Sequence, residues 1–184
     1  MGILLAFSPF IAFAVIDRLI GPIQGLFVGT AVSAALLLRD WISPDRQAKI
    51  LEIGTALLFG GLALYAVMGG DAWSILDVRL RVDGGLLLIV LVSIALRKPF
   101  TLQYAREKVP QELWQTPGFI RTNYVITAVW ALAFVVMVIA DLVLIYMPDL
   151  SPRFGIIATI LALVGAVKFT GWYPDRIAAR PRES

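Results

Sequence analysis

The sequence predicts an all-α fold, a polytopic transmembrane helical bundle. Two observations lead to this prediction, namely the composition of the chain and the length of its apolar segments. Of 184 residues, 59% are hydrophobic and only 16% are charged, and the mean hydropathy is +0.84. An ordinary soluble domain carries about 25% charged residues. A soluble chain cannot bury this much apolar surface, so the predicted solvent is the bilayer. We expect one transmembrane domain over residues 1–184.

Apolar runs of about 17 to 25 residues, the length that crosses a bilayer, define the expected spans. Six are predicted, over residues 2–19, 22–38, 50–68, 84–96, 120–147 and 154–172. The N-terminal run is interpreted as a retained helix, because it lacks the basic start of a signal peptide. The run 84–96 reaches roughly 20 Å, which is short of a hydrocarbon core of about 30 Å. It stays open whether residues 82–96 fully cross the bilayer, and the side of the membrane on which the N-terminus lies depends on this. Five spans are therefore the alternative.

A stripe of small residues marks the second predicted span. Gly21, Gly25, Gly29 and Ser33 recur every four residues. Such spacing places small side chains on one helix face and lets a neighbouring helix approach closely. The stripe predicts helix packing against another span or against another protomer of a homo-oligomer, and both alternatives remain.

A polar segment over residues 97–124 separates the fourth and fifth spans, and 97–121 is predicted to be a basic interfacial loop. It holds five cations against Glu107 and Glu112. Phe100 and Tyr104 stand four residues apart and would share a helix face, with rings toward the acyl chains and cations toward the headgroups. The pattern indicates contact with membrane lipids, anionic ones included, or with other envelope membrane proteins; a solvated loop with interfacial anchors is the alternative. The residues concerned are Arg97, Lys98, Phe100, Tyr104, Arg106, Lys108 and Trp114.

The chain has no cysteine and no histidine. This excludes disulfides, thiolate or imidazole metal ligands, histidine-ligated haem, and catalysis by Ser-His-Asp triads or cysteine nucleophiles. We therefore expect no enzyme activity, no cofactor and no metal site. The net charge of +3 is small and its cations flank apolar runs, so no nucleic-acid binding is predicted.

Charge placement predicts the orientation. With six spans and both termini inside, twelve of the 16 lysines and arginines fall on the inner side: Arg39, Arg46, Lys49, Arg97, Lys98, Arg106, Lys108, Arg121, Lys168, Arg176, Arg180 and Arg182. Cytoplasmic loops carry such an excess, so the C-terminus is predicted to be cytoplasmic. A five-span model with the N-terminus outside gives the same count.

Ionisable residues near span ends are candidates for function. Asp141 lies six residues before the end of the fifth span, and Arg18 ends the first span on the same predicted side. One hypothesis pairs Arg18 with Asp141 in a polar pocket. The alternative is that each residue is an interfacial anchor that faces headgroups.

Several motifs occur in an order that resembles a known family. Phe59-Gly60-Gly61-Leu62 ends the third span, Lys98-Pro99 follows the fourth, and Arg153-Phe154-Gly155 opens the last; between them stand Trp114, Asn123, Trp130 and Phe134. Over residues 9–174 the pattern resembles the intracellular septation protein A family of bacterial inner-membrane proteins. The resemblance implies a role in envelope organisation and septation through protein partners, with no catalytic residues.

Three functions remain open at this stage. The first is a non-catalytic envelope or septation-associated scaffold that acts through helix packing and its basic cytoplasmic loop. The second is a small transporter or channel for a neutral solute, with a path lined by Ser33, Thr55, Tyr65, Ser93, Asn123, Thr127 and Thr159. The third is a lipid-modifying enzyme that uses two carboxylates.

Overall fold

The protein is all-α, as predicted. A computed structural model describes residues 2–43, 47–69 and 73–178, with backbone only for 2, 3 and 178, and these residues contain no β-strand. A short 3₁₀ turn covers Gln111–Leu113. The α-helices are α1 (Gly2–Ala6), α2 (Ser8–Leu19), α3 (Pro22–Ile42), α4 (Ile50–Gly69), α5 (Ile75–Ala95), α6 (Phe100–Arg106), α7 (Pro117–Tyr146) and α8 (Arg153–Ala178). The predicted cations Arg46, Arg180 and Arg182 lie outside the described residues.

Within the described residues, four helices are long and apolar enough to cross a membrane: Pro22–Ile42, Ile50–Gly69, Pro117–Tyr146 and Arg153–Ile177. A fifth crossing exists if α5 and α6, bent by 72° at the break between them, count as one span. These helices are those of a multi-pass membrane protein. The expected six spans are not confirmed.

The first expected span, residues 2–19, is broken. Pro9 stands in the first turn of α2, where its missing N–H costs no hydrogen bond, so a new helix begins beside it and α1 ends before it. The 12 residues of α2 extend about 18 Å, which is too short for the hydrocarbon core.

The fourth expected span starts earlier than hydropathy indicates. α5 begins at Ile75 and its 21 residues extend about 31 Å. Ser74 caps it: its hydroxyl accepts from the Asp77 N–H at 3.1 Å, and the Asp77 carboxylate accepts from the Ser74 N–H at 3.3 Å. This reciprocal cap fixes the start of the helix.

Two compact units make up the chain, Met1–Val92 and Ser93–Ser184. The first contains α1 to α4 and most of α5. Its core is centred on Phe59, whose ring lies 5.1 Å from that of Phe10 and 5.6 Å from that of Phe13, centroid to centroid. Leu26, Ala63, Val78 and Val82 complete the core.

The second unit contains the last turn of α5, then α6, α7 and α8. α7 is its central helix and buries Ile126, Trp130, Phe134, Met137 and Leu144 on one side. α8 packs along α7, and a Cβ on Gly155 would lie 2.6 Å from Leu144 Cδ1, so glycine permits this close approach. Most of the α8 surface is left exposed, including Phe154, Leu161 and Trp172.

Candidate functional site

The break between α5 and α6 is the first candidate site, and local backbone chemistry produces it. Arg97 adopts a left-handed conformation with φ of 56°, which ends α5, and the proline at position 99 precedes the first turn of α6. The buried Ser93 hydroxyl accepts a hydrogen bond from the Phe100 N–H at 3.2 Å. One serine therefore links the two sides of the break. Irregular backbone at membrane depth is tolerated only where protein or a polar cavity satisfies it.

A buried hydroxyl pair holds α6 against α7. Thr101 donates to the backbone carbonyl of Asn123 at 2.9 Å, and its oxygen lies 2.7 Å from the Thr127 hydroxyl. A hydroxyl has one proton, so Thr127 is the donor in that second bond. The Asn123 amide donates to the Phe119 carbonyl at 2.9 Å. Three polar side chains at this contact thus have partners inside the protein.

Aromatic residues cover this polar contact. The Trp130 ring lies 6.4 Å from Phe100, edge to face, and 5.7 Å from Phe134. Its indole N–H donates to the Thr170 hydroxyl of α8 at 2.9 Å. Trp130 therefore connects α6, α7 and α8 within the second unit.

The structure divides the predicted contact residues of the basic segment into two groups. Phe100 and Tyr104 are buried on the shared helix face that their spacing predicts. That face is covered by protein, whereas contact with acyl chains was predicted. Arg97, Lys98 and Lys108 are exposed. The aromatic side chains thus anchor the segment, and the cations form its outer surface.

Arg106 and Trp114 occupy an intermediate position. Both are half-buried, and the guanidinium lies 5.5 Å from the centre of the indole ring, within the range of a cation–π contact. The indole N–H donates to the Val109 carbonyl at 3.1 Å. These contacts order the segment between α6 and the 3₁₀ turn.

A second candidate site is a group of four charged residues at the corner between α3 and α4, here called the charge quartet: Arg39, Asp40, Lys49 and Glu52. Asp40 accepts from Arg39 Nε at 2.8 Å through Oδ1 and from Lys49 Nζ at 3.0 Å through Oδ2. Glu52 Oε1 lies 3.6 Å from Lys49 Nζ and 3.9 Å from an Arg39 nitrogen. The side chains of Asp40, Lys49 and Glu52 are 0%, 6% and 2% exposed. Two cations and two acidic side chains therefore meet at this corner, where Asp40, Lys49 and Glu52 are buried and Arg39 keeps 33% of its side chain exposed.

The sequence analysis counted Arg39 and Lys49 among the cations of the predicted inner side and did not identify the charge quartet. The available signal was the placement of opposite charges at adjoining ends of two consecutive apolar helices. Because Lys49 and Arg39 are paired with acidic side chains, they are not unpaired surface charges.

The stripe of small residues lies at helix contacts inside the first unit. A Cβ on Gly25 would lie 2.9 Å from the Phe13 ring of α2, and one on Gly29 would lie 2.7 Å from the Phe59 ring of α4. Ser33 is buried and donates to the Gly29 carbonyl at 2.7 Å. Gly21, with φ of 148°, precedes α3 and forms the turn from α2. Gly25 and Gly29 therefore lie at contacts between helices of one chain, whereas Ser33 is buried and bonded within its own helix.

The predicted Arg18–Asp141 pair involves one residue of each unit. Arg18 is exposed at the end of α2, and Asp141 is buried in α7. The pairing stays a prediction.

The chemistry of these sites is that of hydrogen bonding and charge pairing. No three histidine, cysteine, aspartate or glutamate side chains of the described residues are arranged as a metal site. Comparison of the chain with protein-family models, with curated proteins and with solved structures gives no match.

Proposed function

We propose that this protein is a non-catalytic scaffold of the bacterial inner membrane, which acts in envelope organisation and septation through protein partners and anionic lipid. The observation that carries the proposal is the construction of the basic segment. Phe100 and Tyr104 anchor it inside the second unit, while Arg97, Lys98 and Lys108 face outward. Cations held on an anchored segment suit partners with acidic groups and anionic headgroups.

The proposed orientation places this segment and the C-terminus in the cytoplasm. The excess of cations on that side supports it. If α5 and α6 form one crossing and α1 and α2 form none, there are five spans and the N-terminus lies on the opposite side. The resemblance to the intracellular septation protein A family supports a location in the bacterial inner membrane and a role in septation.

Charge reversal on the basic segment tests the scaffold function. In the native host, we expect Lys98→Glu combined with Lys108→Glu to abolish photo-crosslinks from Gln103 to a partner membrane protein and to lengthen the cells. Both lysines are exposed, so membrane insertion and protein level should be unchanged.

A charge-matched control separates a local effect from a general one. Arg153→Glu with Lys168→Glu reverses two exposed cations of α8 and should leave crosslinks and cell length normal. Normal division and unchanged crosslinks in the Lys98 and Lys108 variant would contradict the scaffold function.

A second function, a pathway for a small neutral solute, is favoured by one observation. A helix pair broken between α5 and α6, with Ser93, Thr101 and Thr127 buried beside the break, is similar to the discontinuous helices that form transporter binding sites. Hydroxyl groups suit uncharged polar solutes.

Reconstituted vesicles test this second function. If it is correct, the protein accelerates the entry of glycerol or urea, followed by light scattering, and Thr101→Val changes that rate. Vesicles with protein that swell no faster than empty vesicles would rule out transport of these solutes.

A further inference from the structure

Asp17 is a buried acid for which the scaffold and transport functions have no use. It lies near the end of α2 and is 4% exposed. Its Oδ1 atom is completely covered and has no hydrogen-bond partner among the described residues. A buried carboxylate oxygen without a donor is costly in its ionised form, because the water it loses is not replaced.

Close helix packing produces this burial. A Cβ on Gly25 of α3 would lie 3.2 Å from the Asp17 backbone nitrogen and 3.1 Å from the Phe13 carbonyl. Phe13 stands one turn before Asp17 on the same face of α2 and belongs to the core around Phe59. Asp17 is therefore held at the edge of an apolar core by an α3 backbone that has no side chain at that point.

The charges that act on Asp17 are cationic but not in contact with it. Arg79 of α5 and Arg18 of its own helix influence the carboxyl electrostatically. The Oδ1 atom of Asp17 accepts no hydrogen bond from either arginine or from any other described residue. α3 presents no charged side chain there, since its charged residues Arg39 and Asp40 are at its other end.

Asp40 provides the internal comparison. It is as deeply buried, at 1% exposure, but each of its oxygens accepts a hydrogen bond from a cation within 3.0 Å. Such bonds stabilise the ionised form, and Asp17 has none of them. The two acids belong to one unit, so their difference lies in their immediate partners.

We propose that Asp17 is a proton-binding site, with a carboxyl that is protonated and uncharged in the folded protein at neutral pH. The proton comes from water through the small part of the side chain that remains accessible, and it converts a carboxylate into a carboxylic acid. This site is independent of both proposed functions. A proton on Asp17 removes the free-energy cost of keeping an ionised carboxylate away from water, and its release accompanies any separation of α2 from α3.

Carbon-13 NMR of the intact protein in phosphatidylcholine nanodiscs tests the site. With the side-chain carboxyl carbon of all aspartates labelled, we expect a resonance at the position of a protonated carboxyl at neutral pH. It should disappear in Asp17→Asn and persist in Asp77→Asn, a control at an acid with a side-chain exposure of 44%.

Two results would overturn the proposal. One is a wild-type spectrum in which every aspartate resonates as a carboxylate at neutral pH, which would mean that ordered water satisfies an ionised Asp17. The other is an Asp17→Asn spectrum that keeps every protonated resonance of the wild type. If that variant does not fold, the first criterion still applies to the wild-type protein.

Discussion

The two units solve the same problem, the burial of polar groups in an apolar protein, with different chemistry. The first unit buries ionised side chains and neutralises them in the charge quartet. The second buries uncharged groups, Thr101, Asn123 and Thr127, and links them by hydrogen bonds. An unpaired buried charge costs several times more than an unpaired hydroxyl. The first unit should therefore be the more sensitive to single substitutions at its polar site.

The largest effect is expected from Lys49→Met. It leaves two buried carboxylates with Arg39 alone, and loss of one partner of a buried ion pair costs about 3–5 kcal/mol. Thermal unfolding in detergent should show a large loss of stability. Lys168→Met removes an exposed lysine of α8 and should have little effect.

A charge-balanced variant sharpens this test. Lys49→Met combined with Glu52→Gln removes one charge of each sign and keeps the contact between Arg39 and Asp40. It should recover much of the stability lost in the single variant. A double variant no more stable than Lys49→Met would show that charge balance does not govern this corner.

The next effect concerns close packing in the first unit. In Gly25→Ala, the added methyl group would meet the Phe13 ring at 2.9 Å and backbone atoms at 3.1 Å and 3.2 Å. Overpacking of this kind costs about 1–3 kcal/mol. Gly165→Ala of α8 is the control, because nothing lies within 4 Å of the new atom. Equal melting temperatures for the two variants would contradict the close α2–α3 contact.

A smaller effect is expected from Thr101→Val in the second unit. It keeps the shape of the side chain and removes both hydrogen bonds to α7, and such bonds in membranes contribute about 1 kcal/mol. Thr127→Val in the same background should add less than it does alone, because the shared bond is already lost. Strictly additive losses of stability would show that the two hydroxyls do not interact.

The smallest effect is expected from Arg81→Gln, a charge of the first unit that is not buried. The guanidinium lies 4.5 Å from the centre of the Trp73 ring, and its side chain is 42% exposed. Exposed cation–π and ion-pair contacts contribute about 0.5 kcal/mol. A loss as large as that of Lys49→Met would show that burial does not separate the two classes of charge.

Hydropathy predicted the helices whose apolar runs are uninterrupted. It failed where a proline or a capping residue determines where a helix begins or ends. It could not place the start of α5, because Asp77, Arg79, Arg81 and Asp83 lower the hydropathy of its first half. The Ser74–Asp77 cap was readable in the sequence as a helix start. Pro9 broke the first expected span for an equally local reason.

The candidate sites were harder to predict, because each depends on which neighbour a helix face packs against. The local sequence of a helix does not specify this neighbour. The spacing of Phe100 and Tyr104 correctly gives a shared face, yet the same spacing fits lipid or α7 as the neighbour. Asp17 and Asp40 look alike as acids near helix ends. Only the fold shows that cations contact Asp40 and that a glycine backbone covers Asp17.

The charge quartet has a consequence for biogenesis. Arg39 and Asp40 belong to α3, whereas Lys49 and Glu52 stand at the beginning of α4, so each segment carries one charge of each sign. The Lys49–Asp40 and Arg39–Glu52 contacts form only when both segments are present. Transfer of charged side chains that lack these partners into lipid is unfavourable. We expect α3 and α4 to enter the bilayer together as a helical hairpin, with α3 waiting in the translocon until its successor has been synthesised.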